Sequence, residues 1–232
     1  MKGLILAGGR GTRLGSLTRV LPKQVLPVAN RPILHYVADQ MLKVGIRDIG
    51  VIISPETGQH VRQALATSTQ KAHYSLIVQE KPLGIAHCVE VAREYLADEP
   101  FLMYLGDNLI GSDLGGFVET FRESKSDALL LLKEVDDPRR FGVAELDSEG
   151  TILALMEKPH RPASDLAVVG IYAFAPTIHE VVADLEPSER DELEITDALQ
   201  RLLDRGGTVR GLRLDSWWLD VGTADDLLKA NR

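Results

Sequence analysis

Three glycines follow the first apolar run, at Gly8, Gly9 and Gly11, with Arg10 and Arg13 set among them and Lys23 a little further on. Glycine lets backbone N–H groups turn toward a ligand with no β-carbon in the way. A short strand, Lys2 to Leu6, that runs straight into such a loop is a common cradle for an oligophosphate. A lone glycine-rich stretch is as often only a tight turn, but residues 1 to 38 also carry six basic side chains (Lys2, Arg10, Arg13, Arg19, Lys23, Arg31) and no acidic one. In a chain of formal net charge -8 that is a local anion site.

Two familiar phosphate loops do not fit. A Walker loop needs glycine and lysine near the place where Leu14 stands, and the dinucleotide fingerprint needs its third glycine there. What remains, Leu6-Ala-Gly-Gly-Arg-Gly-Thr-Arg-Leu14 with Pro22-Lys23-Gln24 and Leu26-Pro27-Val28 behind it, resembles the nucleotidyltransferases that make nucleoside-diphosphate sugars, the glucose-1-phosphate thymidylyltransferases above all. The resemblance implies a Rossmann-like, three-layer α/β fold with a mostly parallel mixed sheet. It also implies transfer of a nucleotidyl group from dTTP to a hexose 1-phosphate, with Mg2+ as cofactor. Carried over position by position, it sets Leu6, Ala7, Gly8, Gly9, Gly11 and Thr12 around the nucleotide and makes Arg13 and Lys23 catalytic through their grip on the phosphates.

The other polar positions divide between a bland reading and this one. Asp107 follows Phe101-Leu-Met-Tyr-Leu105, where a buried strand leaves its sheet. That edge is where open α/β folds bind ligands, although an aspartate there can also simply form a turn. Asp220 is an acid inside the apolar run Trp217 to Val221, and a buried acid must be paired, hydrogen-bonded or metal-bound. Mg2+ on a nucleotide takes one or two carboxylates and fills its shell with phosphate oxygens and water. The resemblance assigns that metal to Asp107 and Asp220, and places Asp107 beside the sugar phosphate as well.

Gln79 and Gly84 match the segment that reads a pyrimidine, with Pro82 between them also set at the nucleotide, and a glutamine amide complements the imide edge of thymine or uracil. Glu80, Lys81, Pro82 and Leu83 depart from the usual interior of that segment, so UTP stands beside dTTP as the donor. In Glu157-Lys158-Pro159 the resemblance gives Lys158 the sugar phosphate, as a third catalytic residue, and Glu157 a sugar hydroxyl; an isolated pair of this kind is usually just solvated. Gly142, Gly170, Tyr172, Arg190 and Glu194 complete the expected sugar-phosphate set. A non-catalytic sensor of the same fold is the reading from another class. It has no need of Arg13, Lys23, Asp107, Lys158 and Asp220 together.

The elements that must hold these residues alternate. Strands are predicted at Asp48–Ser54, Tyr74–Gln79, Phe101–Leu105, Ala128–Val135, Gly142–Leu146, Ile152–Met156, Val168–Phe174 and Val209–Leu214. Helices are predicted at Pro32–Val44, Thr57–Leu65, Gly84–Tyr95, Glu194–Arg205 and Thr223–Ala230. Such alternation favours a mostly parallel sheet covered on both faces. With 232 residues and 44% hydrophobic content the expectation is one domain, its nucleotide-binding part about 1–110 and its sugar-binding part about 111–232.

The acidic balance argues against nucleic acid and anionic membranes as partners, and no run approaches membrane-spanning length. The single cysteine, Cys88, suits a reducing cytoplasm and packed core, and the six histidines show no metal-ligand spacing. Trp217 and Trp218 are expected in core and pocket wall. The sequence stops at Arg232, where many relatives continue into segments that build oligomer contacts and an effector site, so feedback control and tetramer formation are left open. A homo-oligomer is compatible with the sequence.

Overall fold

A computed structural model of the protein describes residues 1–9, 11, 14–15, 21–68 and 71–232. It is a mixed α/β fold with a central, mostly parallel sheet. In chain order the elements are β1 (Lys2–Leu6), β2 (Pro27–Val28), β3 (Arg31–Pro32), α1 (Ile33–Lys43), β4 (Asp48–Ile53), α2 (Gly58–Ala66) and β5 (His73–Val78). There follow α3 (Ile85–Val91), α4 (Arg93–Leu96), β6 (Phe101–Leu105), β7 (Asn108–Ile110), α5 (Gly115–Ser124) and β8 (Ala128–Glu134). The chain closes with β9 (Gly142–Leu146), β10 (Ile152–Glu157), β11 (Leu166–Phe174), α6 (Ile178–Ala183), α7 (Ile195–Asp204), β12 (Val209–Arg213), β13 (Trp218–Asp220) and α8 (Ala224–Ala230). Two compact units result: Met1–Pro82, Met103–Gly115 and Ser216–Arg232 form the first, Leu83–Leu102 and Gly116–Asp215 the second.

In the first unit β1, β4 and β5 pair in parallel, Ile5 opposite Val51 and Val51 opposite Leu76. Their apolar runs are buried almost throughout β1 and β4, as strands covered on both faces must be. Helix α1 buries Ile33, Leu34, Val37, Ala38, Met41 and Leu42, a 3.6-residue stripe, and stops where Gly45 takes φ +82°. It lies directly on β1, since a β-carbon on Gly3 would come within 2.7 Å of Met41 Sδ. A smaller core of Leu14, Leu26, Val28, Ile33, Leu109 and Val221 ties α1 to β7 and to the chain end beyond β13.

The second unit is built on β8, which pairs with β11 antiparallel and with β12 in parallel, and on the antiparallel pair β9 and β10. β11 is buried along all its residues. Its register against β8 slips between Val168 and Tyr172, and Gly170 inside the slip has φ +62°, which a β-carbon would strain.

Most predicted elements recur within one or two residues. The stretch Gly84–Tyr95 is a correction: it divides at Ala92 (φ -87°, ψ 0°) into α3 and α4. Hydrogen bonds from Ala92 N–H to Cys88 and from Leu96 N–H to Ala92 keep helical spacing across the bend, and Val89, Ala92 and Leu96 are all fully buried. The apolar period therefore carries no trace of it. The β2–β3 hairpin, β7, α5 and α6 were not predicted; the hairpin turn puts Ala29 and Asn30 at φ +46° and +62°, an unusual conformation for alanine. Cys88 is buried as expected, but Trp217 is 60% exposed and not part of the core. No helix among the described residues is long and apolar enough to cross a membrane.

His179, in α6, is a buried histidine stacked on Phe101 at 5.8 Å, its Nε2 without a hydrogen-bond partner among the described residues. Burial first, and the Arg93 charge second, push its pKa down to about 4, against a weaker opposing pull from Asp98. The folded value lies below the unfolded one, so the neutral ring's contribution is fully present above about pH 6.5 and is lost as pH falls toward 4. His179→Phe is expected to flatten the decline of the thermal midpoint between pH 6.5 and 4; an unchanged slope would mean that His179 does not govern it.

Candidate active site

At the carboxyl end of β1 the backbone of Leu6 and Ala7 is already spoken for: Gly106 N–H donates to Leu6 O at 2.9 Å and Ala7 N–H to Ile52 O at 2.8 Å. The loop leaves the sheet at Gly8. A β-carbon there would lie 3.4 Å from the backbone at Ile53 and Ser54 and 3.8 Å from Gln79 Oε1, so Gln79 sits beside this glycine. Gln79 is only 8% exposed and hangs from β5 by its N–H to Ile53 O at 2.8 Å; it is not a surface glutamine at a strand end. Gly9 faces the Lys23 stem, its β-carbon position 3.6 Å from Cε.

Lys23 opens a single 3₁₀ turn that Pro22 pre-sets, and its ammonium pairs with Asp107 Oδ2, each side chain 13% exposed. The turn stands just beyond β6, and from there β7 pairs antiparallel with β13 so that Asn108 lies opposite Asp220. Val221 N–H donates to Asp107 O at 2.9 Å. Asp107 and Asp220, far apart in sequence, are thus neighbours across one strand pair. Pro82 is exposed at the end of this unit. Thr12 and Arg13 lie outside the described residues; Gly11 is within them, its carbonyl accepting from Leu14 N–H at 2.9 Å.

The second unit gathers Gly84, Gly142, Glu157, Lys158, Gly170, Tyr172, Arg190 and Glu194. Glu157 closes β10 opposite Gly142, and Gly142 is bare for a reason: a β-carbon would meet Thr196 Cγ2 at 2.7 Å and Glu157 Oε2 at 3.2 Å. Thr196, wholly buried in the first turn of α7, donates its hydroxyl to Glu157 Oε2 at 3.1 Å. Glu157 Oε1 faces Lys158 at 3.0 Å. Lys158 holds φ +41°, an uncommon conformation outside glycine, with its N–H on Phe141 O at 3.0 Å. Arg190 spans Glu157 at 3.4 Å, Glu194 at 3.2 Å and Glu192 at 3.1 Å.

Burial first, and then the Glu157 charge, push the Glu194 carboxyl above its ordinary range, against the pull of Arg190. Asp197 is raised by the same two causes. Burial keeps the Tyr172 phenol protonated, with Glu157 and Glu194 adding to the effect. The cluster therefore offers carboxylates, a phenol and two cations around one place, which suits hydroxyls and an anionic group.

Gly84 packs against the Leu193 backbone within the second unit. At φ +105° its β-carbon would lie 2.5 Å from Leu193 O and 2.7 Å from Leu193 N. Leu193 N–H donates to Leu83 O and Ala86 N–H to Leu193 O, at 2.7 and 2.9 Å. Thr196, Asp197 and Asn108 were not singled out from sequence. Asn108 adjoins Asp107, but threonine and aspartate in a first helical turn read as ordinary capping residues.

A glycine-rich loop at the carboxyl edge of a parallel sheet, with paired charges beside it, stands where open α/β folds place their ligand sites. The family model described as nucleotidyl transferase matches residues 2–232, and the chain belongs to that family. It is 46% identical to the glucose-1-phosphate thymidylyltransferase of Streptomyces griseus, over all of this chain and 65% of that protein. It is 33% identical to the UTP–glucose-1-phosphate uridylyltransferase AglF of Haloferax volcanii, covering 97% of this chain and 93% of that one. A crystal structure from Bacillus anthracis, provisionally assigned as a glucose-1-phosphate thymidylyltransferase and bound to a sucrose, matches with a TM-score of 0.92 at 36% identity, over all of this chain and 94% of that one. The chain thus spans just under two thirds of the Streptomyces relative.

Two glycines with left-handed backbones separate the cost of a clash from that of φ alone. A β-carbon on Gly206 (φ +84°) meets nothing within 4 Å, whereas one on Gly84 meets the Leu193 backbone. Gly206→Ala is expected to cost about 1 kcal/mol and Gly84→Ala about 1–3 kcal/mol more, by denaturant unfolding. Equal losses would mean that Leu193 does not constrain Gly84.

Proposed function

We propose that the chain transfers a nucleotidyl group from dTTP to a hexose 1-phosphate, glucose 1-phosphate first, and releases pyrophosphate. The observation that carries this reading is the meeting of the glycine loop, Gln79, Lys23 and Asp107 within one unit at the end of β1. Kinship with thymidylyltransferases along the whole chain supports it.

A phosphate oxygen of the sugar phosphate attacks the α-phosphorus in line, and the bond to the β-phosphate oxygen breaks. The monoester is already anionic, so no general base is needed and catalysis rests on position and charge. The amides of Gly8 to Gly11, with Leu6, Ala7 and Thr12 flanking, hold the triphosphate. Arg13 and Lys23 carry its charge, and Gln79 reads the imide edge with Pro82 beside the base. Lys158 places the nucleophile, while Glu157, Glu194, Tyr172 and the backbone at Gly142 and Gly170 take the sugar. Arg190, now spread over three carboxylates, has a guanidinium to offer the phosphate.

Asp107 and Asp220 suit Mg2+: two hard carboxylates lie close together in the backbone, Asp107 in the turn that leads into β7 and Asp220 opposite Asn108 on β13, and phosphate oxygens and water would complete the shell. When bound, the ion supplies charge neutralisation at the α-phosphate and the leaving group. The Lys23–Asp107 pair shows that Asp107 already serves a cation. A reducing cytoplasm fits the lone buried Cys88.

Uridylyl transfer is the second reading, favoured by the near full-length match to AglF and by a glutamine that serves thymine and uracil alike. A matrix of dTTP, UTP and dCTP against sugar 1-phosphates with Mg2+, scored by pyrophosphate release, decides. The dTTP and glucose 1-phosphate pair is expected to be fastest; UTP in first place would install the second reading, and binding with no release would mean a sensor. Gln79→Ala is expected to weaken dTTP over dCTP discrimination by about 1–3 kcal/mol, the cost of an unpaired polar partner. An unmoved ratio would place base recognition elsewhere.

A further inference from the structure

Asn108 is 3% exposed, and both ends of its amide are engaged. Its Nδ2 donates to Asp107 Oδ1 at 2.9 Å, and its Oδ1 accepts from Trp218 Nε1 at 2.6 Å. An indole N–H only donates, so Trp218 can face only the amide oxygen. That contact decides the orientation of Asn108: the NH₂ group must point the other way, at Asp107. With the amide reversed, oxygen would oppose a carboxylate oxygen.

The strand pair does not need this chain of side chains. Backbone bonds close it at both ends, Gly111 N–H to Trp217 O at 3.0 Å and Val221 N–H to Asp107 O at 2.9 Å. The side-chain relay acts on the carboxylate instead. Asn108 takes Oδ1 and leaves Oδ2 as the oxygen that meets a cation, which in this structure is the Lys23 ammonium.

We propose that Asn108 and Trp218 are positioning residues, which fix the plane of the Asp107 carboxylate and reserve Oδ2 for a cation. This rests on the reading of Asp107 as a metal ligand. Strand β13 then contributes twice, once through Asp220 and once through the indole that orients the other acid from across the strand pair. Partners of this kind behind a ligand tune metal affinity without touching the ion.

The test measures Mn2+ binding by electron paramagnetic resonance, with the full chain and the non-cleavable α,β-methylene analogue of dTTP. Trp218→Phe keeps an aromatic ring and removes only the N–H; Asn108→Leu removes both ends of the relay. Each is expected to weaken Mn2+ binding about 10- to 100-fold and to raise the Mg2+ needed for half-maximal turnover in parallel. KM for the sugar phosphate should stay within about twofold, a split that a general loss of structure would not give. Asp107→Asn is the reference. If it abolishes Mn2+ binding while Trp218→Phe and Asn108→Leu both bind like the parent, the positioning role is overturned and the metal reading stands. If Asp107→Asn binds Mn2+ normally, the metal reading falls and the relay's purpose with it. Should either relay variant fold poorly, the parent chain still decides: the indole N–H resonance of Trp218 is expected to shift when Mg2+ joins the analogue complex, and a resonance that does not move counts against the relay.

Discussion

The pairing of Lys23 with Asp107 is the interaction on which the first unit turns. Both side chains are 13% exposed, and a charge so far out of water is tolerable only when compensated. Each half of the pair has its own support. Lys23 is held by the turn after Pro22, and Leu26, which ends that turn, packs in the small core with Leu109 and Val221. Asp107 is held by the end of β6 and by the ladder between β7 and β13. The glycine loop, the lysine turn and the chain end therefore depend on one another, and deleting either charge would strand its partner.

In the second unit the corresponding constraint is crowding of like charge. Glu157, Glu194 and Asp197 are near enough for Glu157 to raise the other two, and Arg190 and Lys158 are the cations that make the cluster tolerable. Glycine permits the crowding: Gly142 leaves room for Thr196 and Glu157, and Gly170 lets β11 bulge so that the chain passes from Val168 to Tyr172 in altered register. The backbone beside this cluster is unusual as well: Lys158 takes φ +41°, a conformation that side-chain-bearing residues seldom adopt.

The elements that were legible are those whose signal is local. β1, β6 and β9 have the bounds their apolar runs predict, and α1 and α7 begin and end beside the residues suited to it, Pro32 and Gly45, Glu194 and Gly206. The bend at Ala92 was not legible, because burial continues through it with a helical period. Nor was the β2–β3 hairpin, whose turn asks alanine for a positive φ. Trp217 reads as core by type and is exposed: it lies just before β13, and its apolarity alone does not say that the strand begins one residue later.

Among the candidate site residues, Gly8, Gly9, Gly11 and Lys23 stand out by type and spacing, because a glycine-rich loop is built from residues close together in the chain. Their run alone determined that this chain opens on a glycine-rich, basic stretch in an otherwise acidic protein. Which distant residues join them was decided only by tertiary structure. Asp107 and Asp220 become neighbours through β7 and β13, Gly84 is drawn to Leu193, and Thr196 reaches Glu157. The physical reason is one of range: backbone freedom and local charge act over a few residues and leave a trace in their order, whereas strand pairing and side-chain packing join positions whose separation along the chain carries no information about their contact.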